Sequence, residues 1–211
     1  MHGFGEGALM PRPAEHSWVR IDAETLGHLI AAVKARGYEV IGPSFRDGSI
    51  SYHSIAKLDS PGRPGAALFG YAVEPTPLKD FLRAAQQDGD PAGYAFLGLR
   101  GCELAEPEVQ AFFRARRKKC VIISVHCTET ADTCCCTVTG VGPRARKGFD
   151  LGLTEVEPGD FLVEVATRAG AELLEEIPYE DAPMEMLERS LSLTAAAAER
   201  IARRTRQKEK T

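Results

Sequence analysis

Residues 94–127 read YAFLGLRGCELAEPEVQAFFRARRKKCVIISVHC, and this stretch decides the fold. Tyr94–Leu99 (YAFLGL) and Cys120–Val125 (CVIISV) are short, nearly continuous apolar runs, the pattern of strands buried on both faces. Between them Val109, Phe112 and Phe113 recur at helical spacing. The segment closes on Arg114, Arg116, Arg117, Lys118 and Lys119, a solvated last helical turn favoured by the macrodipole. Strand, helix, strand without a hairpin signal is a βαβ unit, whose two strands run parallel. The expected fold class is α/β: a mixed, partly parallel sheet flanked by helices, with a cysteine cluster at the strand edge and a long C-terminal helix.

Outward from this unit the chain is punctuated clearly. Asp22 caps a helix over 23–36 whose Leu26, Leu29, Ile30 and Val33 share a face, and Gly37 stops it. Residues 38–42 (YEVIG) and 49–52 (SISY), divided by Arg46-Asp47-Gly48, predict a hairpin. Residues 58–65 read as loop, 67–71 (ALFGY) as a short strand, and Thr76-Pro77 as a helix start leading through Leu78, Phe81 and Leu82. A polar break follows at 86–93. Strands are expected at 150–156 and 160–166 around Pro158-Gly159, and helices at 170–177 and 184–206. This divides the chain into an α/β cluster-binding domain at 1–182 and a C-terminal helix with a basic tail at 183–211.

The 211 residues, 44% hydrophobic and 27% charged, are close to the globular norm and long enough to bury a core. No apolar run approaches the ~20 residues of a membrane helix, and no secretory leader is visible, so a cytoplasmic chain without a membrane span is expected. Net charge is -4, but the last twelve residues hold six bases and one acid, a net of +5, leaving -9 for the rest. An acidic body with a basic tail argues against a nucleic-acid binder. The tail itself reads as a solvated helix end.

Chemistry is concentrated in Cys102, Cys120, Cys127, Cys134, Cys135 and Cys136. The chain is neither small nor leader-bearing, so a disulfide framework is disfavoured and gathered thiols point to metal or cluster ligation. Cys102 and Cys127 each fall just past the end of a βαβ strand. Parallel neighbours lie about 4.8 Å apart, so both sulfurs are expected at one sheet edge, where open α/β sheets place ligands. The loop from Cys127 to Cys136 can fold two further sulfurs over the first pair. In extended backbone Cys134 and Cys136 face one way and Cys135 the other. The residues alone leave three readings open: an iron–sulfur cluster, a structural zinc, and unliganded or regulatory thiols.

The segments at 96–103 (FLGLRGCE), 121–143 (VIISVHCTETADTCCCTVTGVGP), 148–155 (GFDLGLTE) and 161–174 (FLVEVATRAGAELL) resemble the beta, iron–sulfur subunit of cytoplasmic NiFe hydrogenases, or sulfhydrogenases. They are also similar to the A subunit of anaerobic sulfite reductase. The phrases at 40–52 (VIGPSFRDGSISY) and 67–82 (ALFGYAVEPTPLKDFL) fit too, so the likeness spans about residues 38 to 200. Its motifs are an arginine-x-cysteine-acid after a strand, a cysteine separated by six residues from a CxC, and a glycine-x-glycine-proline loop leading to GFDL. The resemblance implies that Cys102, Cys127, Cys134 and Cys136 bind one four-iron, four-sulfur (4Fe-4S) cluster. It implies an electron-transfer subunit partnered by a flavin/nicotinamide-binding subunit and by hydrogenase or sulfite reductase subunits. Family members continue into a ferredoxin-like section with further clusters; this sequence stops before it, either as a trimmed relative or as a fragment, and one cluster is expected in the part given. Cys120 and Cys135 fall where the family has other residues.

Other residues have plainer readings. Cys120 opens an apolar strand and is expected as a small core side chain. His126 is expected to pack or lie at the surface rather than ligate, and Arg100 either tunes a thiolate cage or makes an ion pair at the strand end. The segment from Gly140 to Lys147 lacks P-loop spacing and is expected as a tight loop covering the cysteines. No carboxylate pair and no serine–histidine–acid arrangement suggests substrate turnover. The alternative to an electron carrier is a non-redox module in which the same four sulfurs hold zinc to fold the loop.

Overall fold

The computed structural model describes residues 11–46, 49–56, 68–69, 75–87 and 93–208. Along the chain run β1 (Trp18–Asp22), α1 (Ala23–Ala35), β2 (Glu39–Arg46), β3 (Ser49–Ser54), α2 (Pro75–Gln87) and β4 (Tyr94–Leu99). Then follow α3 (Gly101–Leu104), α4 (Pro107–Arg116), a 3-10 turn at Arg117–Lys119 and β5 (Cys120–Val125). The chain finishes with β6 (Leu151–Glu157), β7 (Asp160–Val165), α5 (Arg168–Leu174), β8 (Glu180–Asp181) and α6 (Met184–Lys208).

All eight strands join one mixed sheet in the order β3-β2-β4-β5-β6-β7-β1-β8. Its centre is parallel: β2 with β4, β4 with β5, and β5 with β6. The outer pairs are antiparallel. Both central strands of the βαβ unit are buried at every residue, as two-sided coverage requires. One face carries α1 and α5, whose Leu26, Leu29, Val33 and Leu174 meet Ala95, Leu97 and Val121. The other carries α2 and α4 around Phe96, whose ring meets those of Phe81, Phe112 and Phe113 edge-on at 6.0, 6.2 and 5.0 Å. The last helix, α6, lies against β6 and β7, where Met186 packs with Val156 and Leu162.

Local chemistry explains most boundaries. The Asp22 carboxylate accepts the Thr25 N–H at 2.8 Å and caps α1. Pro107 has no N–H to continue a helix, so the segment after β4 divides into α3 and α4 instead of one run. Within the expected strand 67–71, Leu68 and Phe69 form a turn, and the other three residues lie outside the described ones. So do the hairpin turn at 47–48, the loop at 58–65 and most of the break at 86–93. Two strands were not anticipated: β1, whose alternation at Val19 and Ile21 is short and runs into the α1 cap, and β8, two polar residues on the sheet edge.

A bulge shapes the end of β4. Leu97 pairs with Ile123 but Leu99 pairs with Ser124, so Gly98 is an extra residue in the ladder. It sits at φ +90°, where a glycine is at home and side chains are not. Ala95 and Leu97 face α1; the extra residue turns Leu99 to the other face, beside Phe96. Arg100 and Cys102 leave the strand in the direction this sets.

The basic cluster after α4 is not wholly solvated. Arg117 reaches the fully buried Asp150, whose carboxylate also accepts the Ile122 N–H at 2.9 Å and the Thr167 hydroxyl at 2.6 Å. Asp150 thereby ties β5, β6 and α5 together. Asp150→Ala strands a buried N–H and hydroxyl and is expected to cost about 3 kcal/mol. Urea unfolding should show a lowered midpoint at unchanged slope.

Candidate metal centre

Parallel pairing of β4 and β5 brings their carboxyl ends to one edge, and both candidate sulfurs follow directly. Cys102 lies in the first turn of α3, two residues beyond Arg100, and Cys127 lies two residues beyond β5. The loop after Cys127 folds back over them. Its return is fixed where the Cys127 N–H donates to the Pro143 carbonyl at 3.0 Å, and inside it the Val141 N–H donates to the Cys136 carbonyl at 3.0 Å. Backbone meets backbone here: a Cβ on Gly101 would stand 2.3 Å from the Val141 oxygen, so only glycine lets α3 and the loop approach so closely.

The result is a cleft of about 470 Å³ lined by Cys102, Cys127, Cys134, Cys135 and Cys136 with Thr130, Thr133, Val141 and Ile201. The four residues singled out from the sequence therefore share one cleft. Cys136 is buried, Cys102, Cys127 and Cys134 are half-buried, and Cys135 is exposed at the mouth. Cys120 is instead in the core beside Tyr94 and Ile122. All six cysteines are free thiols. Among the described residues no three His, Cys, Asp or Glu side chains close around a single metal-ion position.

Burial first, and neighbouring charge second, hinder ionisation of three of these thiols. Burial, then the Glu103 carboxylate and the Cys127 and Cys136 sulfurs, push the Cys102 thiol up to about 12. Burial, then Cys127, Cys134 and Cys135, push Cys136 up to about 11. Burial also raises Cys127, opposed by the Arg100 guanidinium. A thiol that holds its proton this firmly is a weak nucleophile, whereas a bound metal deprotonates its sulfur ligands.

Hydrogen-bond donors surround the sulfurs. Arg100, buried, aims Nη1 at Cys127 Sγ at 3.8 Å and donates Nη2 to the Phe69 carbonyl at 2.5 Å. The Ala131 N–H donates to Cys134 Sγ at 3.3 Å. Glu103 reaches back from α3 to accept the Arg100 N–H at 2.7 Å and the Tyr52 hydroxyl at 2.6 Å. Burial pushes this carboxyl up to about 7, against the pull of Tyr52 and Arg100. Soft thiols ringed by N–H donors are a donor set suited to an iron–sulfur cluster.

His126 does not line the cleft. It is buried, its ring edge-on to Phe149, with Nδ1 3.0 Å from the Thr154 hydroxyl, which accepts from Ser190 Oγ at 2.9 Å. Burial, with Arg144 and Arg100, lowers its pKa to about 3, so the ring is neutral and structural. Its packing role agrees with the sequence reading.

The C-terminal helix contributes contacts that reading did not anticipate. Arg200 donates to the Thr128 carbonyl at 2.5 Å, and Arg204 to Asp132 and the Thr130 hydroxyl, each at 2.8 Å. Two bases expected at a solvated helix end thus grip the cysteine loop. The available signal was their i,i+4 spacing beside the apolar Ala197 and Ile201.

The chain matches no family model, and no curated protein is significantly similar to it. Among the described residues, no helix is long and apolar enough to cross a membrane.

Two outcomes follow for the metal-free protein. Gly101→Ala is expected to force the loop off α3 at a cost of about 1–3 kcal/mol, and Cys102 should then alkylate faster. The raised Glu103 pKa sets a pH dependence. Unfolded glutamate ionises near 4.5 while the folded one holds its proton to about 7, so this group's contribution to stability falls as pH rises between those values. His126 acts oppositely, losing stability as pH falls below its ordinary 6.5. The stability difference between Glu103→Gln and the parent isolates the first effect and should move in the variant's favour between pH 4.5 and 7.

Proposed function

We propose that this chain is an iron–sulfur electron-transfer subunit of a cytoplasmic oxidoreductase complex of the hydrogenase or sulfite reductase type. In this reading Cys102, Cys127, Cys134 and Cys136 hold one 4Fe-4S cluster, one sulfur for each iron. One observation carries it: four thiols from a helix start, a strand end and a folded-back loop line a single cleft at the carboxyl end of the parallel pair β4 and β5 in a mixed sheet. The likeness of the cysteine-bearing segments to hydrogenase beta subunits and to the sulfite reductase A subunit supports the same reading.

When bound, the cluster supplies reversible one-electron transfer. The chain's own part is to hold and tune it. Arg100 places a positive charge beside Cys127, which favours the more negative, reduced form, and the Ala131 N–H does the same at Cys134. Cys136 is buried and Cys135 is exposed, so the cleft is open to one side. Under this reading the chain itself makes and breaks no bonds, and the chemistry belongs to its partners. A flavin/nicotinamide-binding subunit and a hydrogenase or sulfite-reducing subunit are the proposed partners.

Oxygen-free preparation followed by metal and sulfide analysis tests this. The expected result is a brown protein with about four irons and four sulfides per chain and a spin signal on reduction. Cys102→Ser or Cys127→Ser should abolish colour and signal, while Cys120→Ser and Cys135→Ser keep both. A colourless protein with one zinc overturns the reading in favour of a structural site, and an intact cluster in the first two variants overturns the ligand set.

A further inference from the structure

Glu155 touches none of the thiols, yet it holds the residue that aims the cation at one of them. It lies on β6, buried, and its carboxylate accepts backbone N–H groups from Leu68 at 2.9 Å, Phe69 at 3.2 Å and Gly159 at 3.0 Å. A buried carboxylate is stable only with such donors, so the turn at 68–69 and the start of β7 are drawn onto it. The Phe69 ring is pinned on its other side, edge-on to Phe161 at 6.1 Å. With its N–H and ring both fixed, Phe69 presents a stationary carbonyl. That carbonyl accepts Arg100 Nη2 at 2.5 Å, and the same guanidinium stands 3.8 Å from Cys127 Sγ through Nη1.

A guanidinium is rigid and planar, so fixing one nitrogen fixes the direction of the other. The carboxylate, the turn, the guanidinium and the sulfur therefore form one continuous chain of hydrogen bonds. We infer that Glu155 is a positioning residue for the candidate metal centre, setting the reduction potential through the orientation of Arg100. This rests on the electron-carrier reading above. It adds a residue on another strand, 28 positions from Cys127 in sequence, that no cysteine motif marks.

The sign of the effect separates positioning from plain charge. Removing a nearby negative charge by itself eases reduction and raises the potential. Releasing Arg100 from Cys127 does the reverse, because the reduced form loses its cation. Glu155→Gln keeps one acceptor oxygen but sets an NH2 against either the Phe69 N–H or those of Leu68 and Gly159, donor against donor, which loosens the turn.

The experiment compares the reconstituted full chain with Glu155→Gln, Arg100→Gln and the double variant. It uses redox titration of the cluster and hydrogen exchange at the Leu68, Phe69 and Gly159 amides. Expected are faster exchange at those amides in Glu155→Gln, a more negative potential in both single variants, and a double variant no more negative than Arg100→Gln. A potential that rises or stays put in Glu155→Gln, or single shifts that add in the double variant, overturns the inference. Glu155→Asp, a carboxylate too short to reach all its partners, gives the same readings should the glutamine variant not fold. Failure of the parent chain to take up a cluster under the same reconstitution defeats the electron-carrier reading itself, and this inference with it.

Discussion

Everything at the cysteine cleft depends on the parallel pairing of β4 with β5. Parallel strands cannot be joined by a tight turn, so the chain must leave the sheet at the end of β4, form α3 and α4, and cross back to the opposite edge to start β5. That detour places both strand ends, and so both exits toward Cys102 and Cys127, along one edge. The aromatic cluster around Phe96 holds the pairing from one face, and α1 holds it from the other. An antiparallel pairing of the same two runs would put the two cysteines at opposite ends of the sheet. The Gly98 bulge refines the arrangement by turning the end of β4 by one residue, delivering Arg100 inward and Cys102 onto the first turn of α3.

Around that frame the buried polar groups form connected networks rather than isolated charges. Glu103 is tied to Tyr52 and Arg100, Asp150 to Arg117, Ile122 and Thr167, and Glu155 to three backbone amides. Each would be costly alone; satisfied, each fixes two or more elements relative to one another. Arg100 belongs to two of these networks at once, through its own N–H and through Phe69. The cost of burying a cation is offset by the surrounding acceptors, and its direction is fixed at the same time. A group with one job would need fewer partners.

The sequence exposed the parts governed by short-range pattern. YAFLGL and CVIISV are apolar but for Ser124, as a doubly covered strand requires, the Asp22 cap is a local hydrogen bond, and the cysteines sit next to strand ends that can be counted. The rest comes from long-range pairing. Nothing local in Leu151–Glu157 reveals that Glu155 will face a turn more than eighty residues earlier. The grip of Arg200 and Arg204 on the cysteine loop joins residues more than seventy apart, and an exposed-looking arginine pair on a helix reads as solvated until the loop is placed beside it. Glu180–Asp181 forms a strand only because the edge of β1 offers it partners.

The same burial that assembles the cleft also decides what it can do without a metal. A thiol pushed up to about 12 at Cys102 and to about 11 at Cys136 keeps its proton near neutrality, so without a metal these two are neutral, weakly polar side chains. Thiolates crowded there without a cation would repel one another, and Arg100 offsets only part of that, at Cys127. Under the proposed reading, loading must release protons and grow stronger as pH rises, because each ligand has to be deprotonated against its surroundings. The electrostatic strain that makes an empty thiolate cage unfavourable is removed by the positive charge of the irons. The loop between Cys127 and Cys136 is already held in place for such a group, by its own backbone hydrogen bonds and by Arg200 and Arg204 of α6.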